Sequence, residues 1–267
     1  MARPSKDIRS DMGWSSTDRV VVKGMDLPGR LLGKINLGDM AFLELTGQLP
    51  TPQQSVVFNA MLVTLVEHGL TPQTIAARLI YLCAPESIQG AVAAGLCGVG
   101  SVFAGGSEGA AKLLQEALPK DPQADLAAVA RTVVADFQSR RASIPGIGHP
   151  RHKPIDPRTP RLFDIAAANQ LRGRYVALLE LIAQEAERVY QRSLPINATG
   201  AIGALCCELG FDWKMARGIA VIGRAIGLVG HLAEEIRHPI AREISRRSEE
   251  EASSHARTTE RGMDSAG

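Results

Sequence analysis

The sequence is poor in aromatic residues, in patterned cysteines, in net charge and in long apolar runs, and each shortage narrows what the chain can be. Aromatics make up 4% of its 267 residues, too few for the aromatic and β-branched alternation of a sheet-rich protein. One short strand at Val20–Lys23 is all that the pattern suggests. The four cysteines, Cys83, Cys97, Cys206 and Cys207, have no C-x-x-C or His-linked spacing. Two of them are adjacent within a helical pattern, which suits core packing and not a disulfide framework. With 30 basic and 28 acidic side chains the formal charge is +2, so the charge does not point to nucleic acid. No run of eighteen apolar residues is present, so no membrane span is expected. Met1–Asp18 is polar and lacks the apolar stretch of a secretion signal, which makes a cytoplasmic protein the expectation. The six histidines show no metal-ligand spacing, and no protein-bound metal is expected.

What is present is helical. Apolar residues recur at helical spacing through Val56, Met61, Leu62, Leu65 and Val66, then Ile75, Leu79, Ile80 and Leu82. With 45% apolar content the chain can bury a sizeable core, and the fold class is all-α. Punctuation divides it: Asp39 as the cap of a helix ending near Gly47, Thr51-Pro52 and Thr71-Pro72 as cap-then-proline starts, and a further start near Glu86-Ser87. Gly90 to Gly100 is so rich in Gly and Ala that another helix can approach closely, from within the subunit or from a second copy. Residues 121–140 read as an amphipathic helix with Leu126, Val129, Val133, Val134 and Phe137 on one face. After about Glu251 the last helix is expected to fray into a disordered tail, 251–267.

The densest chemistry lies in the loop Ile144-Pro145-Gly146-Ile147-Gly148-His149-Pro150-Arg151-His152-Lys153-Pro154-Ile155-Asp156-Pro157-Arg158. Gly146 and Gly148 allow positive φ and close approach to a ligand, while the prolines stiffen the segment that carries His149. Free backbone amides near Arg151 and Lys153 would suit phosphates or carboxylates. A Pro/Gly connector with solvated basic side chains is the rival reading.

Gly146-Ile147-Gly148-His149, followed by Lys153 and Asp156-Pro157-Arg158, resembles the loop of citrate synthases, methylcitrate synthases, citryl-CoA lyases and the lyase domain of ATP-citrate lyase. The resemblance continues in order through Glu67-His68-Gly69 with Thr74, Ala76, Ala77 and Arg78. It extends through Gly105-Gly106, through Asn197 with Gly200 and Gly203, and through Gly223-Arg224 to Gly230-His231. It covers roughly residues 20 to 245, and the short length is more like that of citryl-CoA lyases than of full-length synthases.

The resemblance implies a helical fold with a large domain (1–109 and 201–250) and a smaller inserted domain (110–200), assembled as a homodimer or higher homo-oligomer. It implies a CoA thioester and a di- or tricarboxylic acid as ligands, with coenzyme A a substrate and no covalently bound cofactor. Main-chain atoms of Pro145, Gly146, Ile147 and Gly148 would hold the adenine side of CoA, and Arg151 or Lys153 its phosphates. His149 would handle the hydroxyl or carbonyl oxygen of the acid as acid/base. His68, Arg158 and Arg224 would bind that acid, and Arg237 would reach across a dimer interface. Arginine suits carboxylates because its planar fork makes paired, charge-assisted hydrogen bonds.

Two positions depart from the synthase pattern. Where synthases carry a histidine in Gly-Pro-x-His-Gly, this chain reads Ala104-Gly105-Gly106-Ser107-Glu108-Gly109, which offers Ser107 or Glu108. Where they carry an aspartate two residues after the asparagine, it has Thr199, whose hydroxyl is almost unionised at neutral pH. The favoured expectation is a citryl-CoA lyase-like enzyme in which His149 takes the hydroxyl proton and Ser107 or Thr199 steadies the enolate. Glu108 would replace the missing carboxylate if it faced the cleft. The alternatives are a catalytically impaired binding protein, a citrate or methylcitrate synthase, and a ligand-free helical scaffold.

Overall fold

The structure, a computed structural model, describes residues 8–102 and 106–264, with side chains to residue 256. Ala104 and Gly105 of the ordered resemblance lie outside the described residues. A small antiparallel meander opens the chain: β1 (Gly13–Ser15), β2 (Val20–Val22) and β3 (Met25–Asp26), with Val21 buried. The strand expected at Val20 is its centre. The remainder is helical: α1 (Leu37–Thr46), α2 (Pro52–Val66), α3 (Pro72–Cys83), α4 (Ile88–Cys97), α5 (Gly106–Ala117), α6 (Leu126–Ser139), α7 (Arg158–Ala168), α8 (Arg174–Tyr190), α9 (Ala198–Glu208), α10 (Ala216–Arg237) and α11 (Ala241–Asp264).

Several starts follow the punctuation. Thr51 and Gln54 form a reciprocal capping box ahead of Pro52, satisfying two amides that the helix cannot pair itself. α1 is capped not by Asp39 but by Asn36, whose side chain accepts from the Asp39 amide; Asp39 instead accepts from Ser55 and Asn59 of α2. The amphipathic helix of residues 121–140 shortens to α6, begun by the Asp125 cap. α11 runs past Glu251, where fraying is expected. The Arg246–Glu243, Arg246–Glu250 and Arg247–Glu243 pairs brace its early turns along one face.

The core joins α2, α5, α6, α8 and α9 around Phe42, Phe58 and Phe211, whose ring centroids lie 5.3–5.5 Å apart. α9 is its axis, with every residue from Gly200 to Cys207 buried. The paired cysteines belong to this core, where burial pushes the Cys207 thiol up to about 12 and Cys206 higher still. α10 crosses α2 with Gly223 and Gly227 at the contact, where a Cβ on Gly227 would sit 1.9 Å from the Val66 carbonyl oxygen. In α4, Ala91 and Gly95 are buried, and a Cβ on Gly95 would meet Leu228 and the Gln73 carbonyl below 3 Å. These small residues thus serve packing inside the subunit. No described helix is long and apolar enough to cross a membrane.

Candidate active site

The N-terminus of α9 organises the site. Asn197 caps the helix, its Oδ1 accepting from the Gly200 amide (2.9 Å) and the Thr199 hydroxyl (2.7 Å). Its Nδ2 donates to the Gly148 carbonyl at 2.7 Å, so one side chain both starts the helix and anchors the glycine loop. The loop is stitched further by Gly148 N–H to Pro195 O (2.7 Å) and Asn197 N–H to Gly146 O (3.0 Å). Gly146, at φ +83°, packs so closely that a Cβ on Gly200 would stand 2.4 Å from its carbonyl oxygen. The loop's far end is tied to the same helix. Fully buried Asp156 accepts from the Ala198 amide and holds Arg158 by two parallel bonds of 2.8–2.9 Å. Burial alone would raise the Asp156 carboxyl, but the Arg158 hydrogen bonds and the Ala198 amide hold it at about 2.

Three imidazoles gather above this platform. His149, His152 and His68 have ring nitrogens within 4.8 Å of one another, and the His149 and His152 rings lie 4.3 Å apart between centroids. Spacing in the sequence could not show this, because His68 arrives from the distant turn after α2. The Nδ1 of His149 accepts the amide protons of Arg151 (3.1 Å) and His152 (2.9 Å). The sequence suggests free amides near Arg151 and Lys153 for phosphate; those of Arg151 and His152 are engaged inside the loop. With Nδ1 accepting, the neutral ring carries its proton on Nε2 and presents a donor. The same geometry leaves His149 no free lone pair for a metal ion. Burial, then the neighbouring His152 and Arg158, keep the His149 ring below its ordinary range; burial, Arg158 and Arg224 do the same for His68. The His149 and His68 rings, held below their ordinary range with guanidinium groups beside them, suit an anion with several carboxylates.

His68 is held from behind by a chain of contacts that runs from exposed Glu67 inward to buried His231, Arg78 and Glu235. Glu67 accepts from the His68 and Gly69 amides and from the His231 ring at 2.9–3.1 Å. Hydrogen bonds from Gly69, His231 and His68 outweigh its partial burial and keep it ionised below the usual carboxylate range. His231 in turn meets fully buried Arg78, which also pairs with Glu234 and, at 2.6 Å, with Glu235. Arg78 and His231 stand in the quoted motifs, but their joint role is visible only in three dimensions because they are far apart in sequence. Arg224, on α10 beside Glu67, is buried and has an Nη1 without a hydrogen-bond partner among the described residues.

The remaining expected residues divide. Ser107, in the first turn of α5, is fully buried with a hydroxyl that has no hydrogen-bond partner among the described residues, and Thr199 lies against the neighbouring Gly106. Glu108 is paired with Arg217 of α10. Arg237 is exposed at the end of α10, about 20 Å along the helix from Arg224 at 1.5 Å per residue, and does not join the cluster within one subunit. Arg151 and Lys153 are exposed and make no ion pair among the described residues. Next to the loop, a cavity of about 300 Å³ is lined by Arg141, Ile144, Ile147, Tyr190, Arg192 and Leu194, among others.

Comparisons with known proteins agree with this architecture. Residues 37–247 match the family described as "Citrate synthase, C-terminal domain". The structure of citryl-CoA lyase from Hydrogenobacter thermophilus is similar at 32% identity and a TM-score of 0.79, over 87% of this chain and 88% of that one. ATP citrate lyase from Methanothrix soehngenii, solved with citrate and coenzyme A, shares the fold at 20% identity and a TM-score of 0.75, over 89% of this chain and 40% of that one. A Dictyostelium discoideum protein described as a probable ATP-citrate synthase is 25% identical over 222 residues, 76% of this chain but 34% of that protein. The chain thus spans from about a third to a little over half of the curated relatives it matches. By the family match, the helical architecture and the ordered motifs, the chain belongs to the citrate synthase superfamily.

Proposed function

We propose that this protein cleaves citryl-CoA, or a related 3-hydroxyacyl-CoA, into acetyl-CoA and oxaloacetate. The observation that carries the reading is the likeness to a citryl-CoA lyase along nearly the full length of both chains. It is supported by Thr199 standing where the synthase pattern has an aspartate. His149 donates its Nε2–H to the tertiary oxygen of the acid, and does not act as the base the sequence suggests, since Nδ1 is already an acceptor. His68, Arg158 and Arg224 hold carboxylates, and the unpartnered Nη1 of Arg224 supplies one donor. The Ser107 hydroxyl, buried at the start of α5, meets the thioester oxygen as it gains enolate charge, with Thr199 beside it. The cavity at Ile144 and Ile147, flanked by Pro145–Gly148, receives the adenine of CoA, and Arg151 and Lys153 its phosphates. Residues 110–200 act as the smaller domain, and a homodimer brings Arg237 to the partner's site.

A turnover assay with citryl-CoA beside calorimetry with CoA thioesters tests the reading. Wild type is expected to release oxaloacetate. His149→Ala should bind CoA normally and cleave about 10²–10³-fold more slowly, the usual cost of removing an oxyanion donor. Binding without product would leave a binding protein that kept its pockets, a reading favoured by the Glu108–Arg217 pair, which engages the one nearby carboxylate of α5's first turn. An unimpaired His149→Ala would move the chemistry elsewhere.

A further inference from the structure

A hydroxyl that must lose its proton needs an acceptor as well as a donor. It offers one proton and two lone pairs. Arg158 and Arg224 can only donate, and His149 presents Nε2–H, so it too is a donor. The Glu67 carboxylate is turned to the His68 and Gly69 amides and the His231 ring. The acceptor in this cluster is therefore His152 or His68. The His152 ring lies 4.3 Å from that of His149 between centroids, against 6.4 Å for His68. No hydrogen bond within the chain engages the His152 ring among the described residues, so its lone pair is uncommitted. One hydroxyl that accepts from a ring N–H and donates to a second ring nitrogen places the two nitrogens about 4.7 Å apart, from ordinary bond lengths and a tetrahedral oxygen. One ring nitrogen from each of His68, His149 and His152 lies within 4.8 Å of the others, so the cluster is of the size that one bridging hydroxyl spans.

We propose that His152 is a further catalytic residue: it accepts the hydrogen bond of the tertiary hydroxyl of the bound hydroxy acid and takes that proton as the carbon–carbon bond breaks. This rests on the lyase reading above. The O–H bond breaks and its proton passes to the His152 ring nitrogen; the electron pair left on oxygen forms the ketone. The carbon–carbon pair moves onto the thioester as an enolate, which takes a proton from water at carbon. His152 then gives its proton to the hydroxide so formed, and no net proton is gained or lost.

Citrate and tricarballylate, which differ by that hydroxyl alone, separate recognition from chemistry. In calorimetry, wild type should bind citrate about tenfold more tightly, the scale of one well-formed hydrogen bond. His152→Ala should bind the two equally. His152→Gln retains an acceptor oxygen but no base, and should keep most of the preference. Both variants should cleave citryl-CoA at least 10²-fold more slowly than wild type, and the half-exposed position keeps folding out of the comparison. The assignment is overturned if the preference survives in His152→Ala, if it is absent in wild type, if only His68→Ala removes it, or if His152→Gln turns over normally. Cleavage by wild type in any of those cases would leave the lyase reading standing. Wild type that shows the His152-dependent preference but no cleavage would refute lyase and proton transfer together, leaving only the hydroxyl contact.

Discussion

Asp156 shows how much can depend on one carboxylate. It accepts from Arg158 twice and from the Ala198 amide while fully buried, so the loop's end, the arginine proposed to hold a substrate carboxylate and the α9 terminus share it. Its folded-state pKa of about 2 lies below the ordinary carboxylate range. Its charge therefore contributes stability above about pH 4, and that contribution is lost as pH falls from about 4 towards 2, amounting to about 2 kcal/mol. Asp156→Asn is expected to unfold about 2 kcal/mol more easily in urea at pH 7, with the deficit closing near pH 2–3. A deficit of the same size at both pH values would show that shape, and not charge, matters at this position. The Asp156-Pro157-Arg158 motif is legible in the sequence, but its carboxylate is not, because the residue that it tethers, Ala198, lies in a different helix.

At the scale of elements, the crossing of α10 over α2 fixes where Glu67 and His68 leave the helix. Alanine favours helix over glycine by about 1 kcal/mol, yet a Cβ on Gly227 would lie 1.9 Å from the Val66 carbonyl. Gly227→Ala is therefore expected to lose about 1–3 kcal/mol, a common cost of overpacking, and to weaken citrate binding by displacing His68. Gly218→Ala on the same helix meets only the Met215 side chain at 3.7 Å and should gain about 0.5–1 kcal/mol. Thermal unfolding of the two variants, with citrate calorimetry, checks both signs. Helix starts such as Thr51-Pro52 were readable because a cap is a local event. Asp39 misled because a competing cap, Asn36, stands three residues earlier with the geometry to reach the same turn. The histidine cluster and the Arg78–His231–Glu67 chain were unreadable, since helix packing and not spacing brings them together.

For the molecule as a whole, α10 has two faces with different uses. Gly223, Gly227 and Leu228 face inward, whereas Ile226, Val229 and Ile236 are 46–58% exposed at helical spacing. An apolar stripe of this kind is commonly an interface, and Arg237 stands at its end. Sedimentation is expected to find a dimer at micromolar concentration. Val229→Glu should yield monomers that stay folded by circular dichroism, while a wild-type monomer would remove the route by which Arg237 enters a partner's site. The meeting of Gly146 and Gly200, backbone against backbone, sets the terms on which this site can diversify. Neither position can acquire a side chain unless the loop and α9 separate, so the platform is inherited intact or lost as a unit. Divergence in substrate or reaction must then come from the side chains standing on it, Thr199 and His152 foremost, as tools are exchanged on a fixed bench.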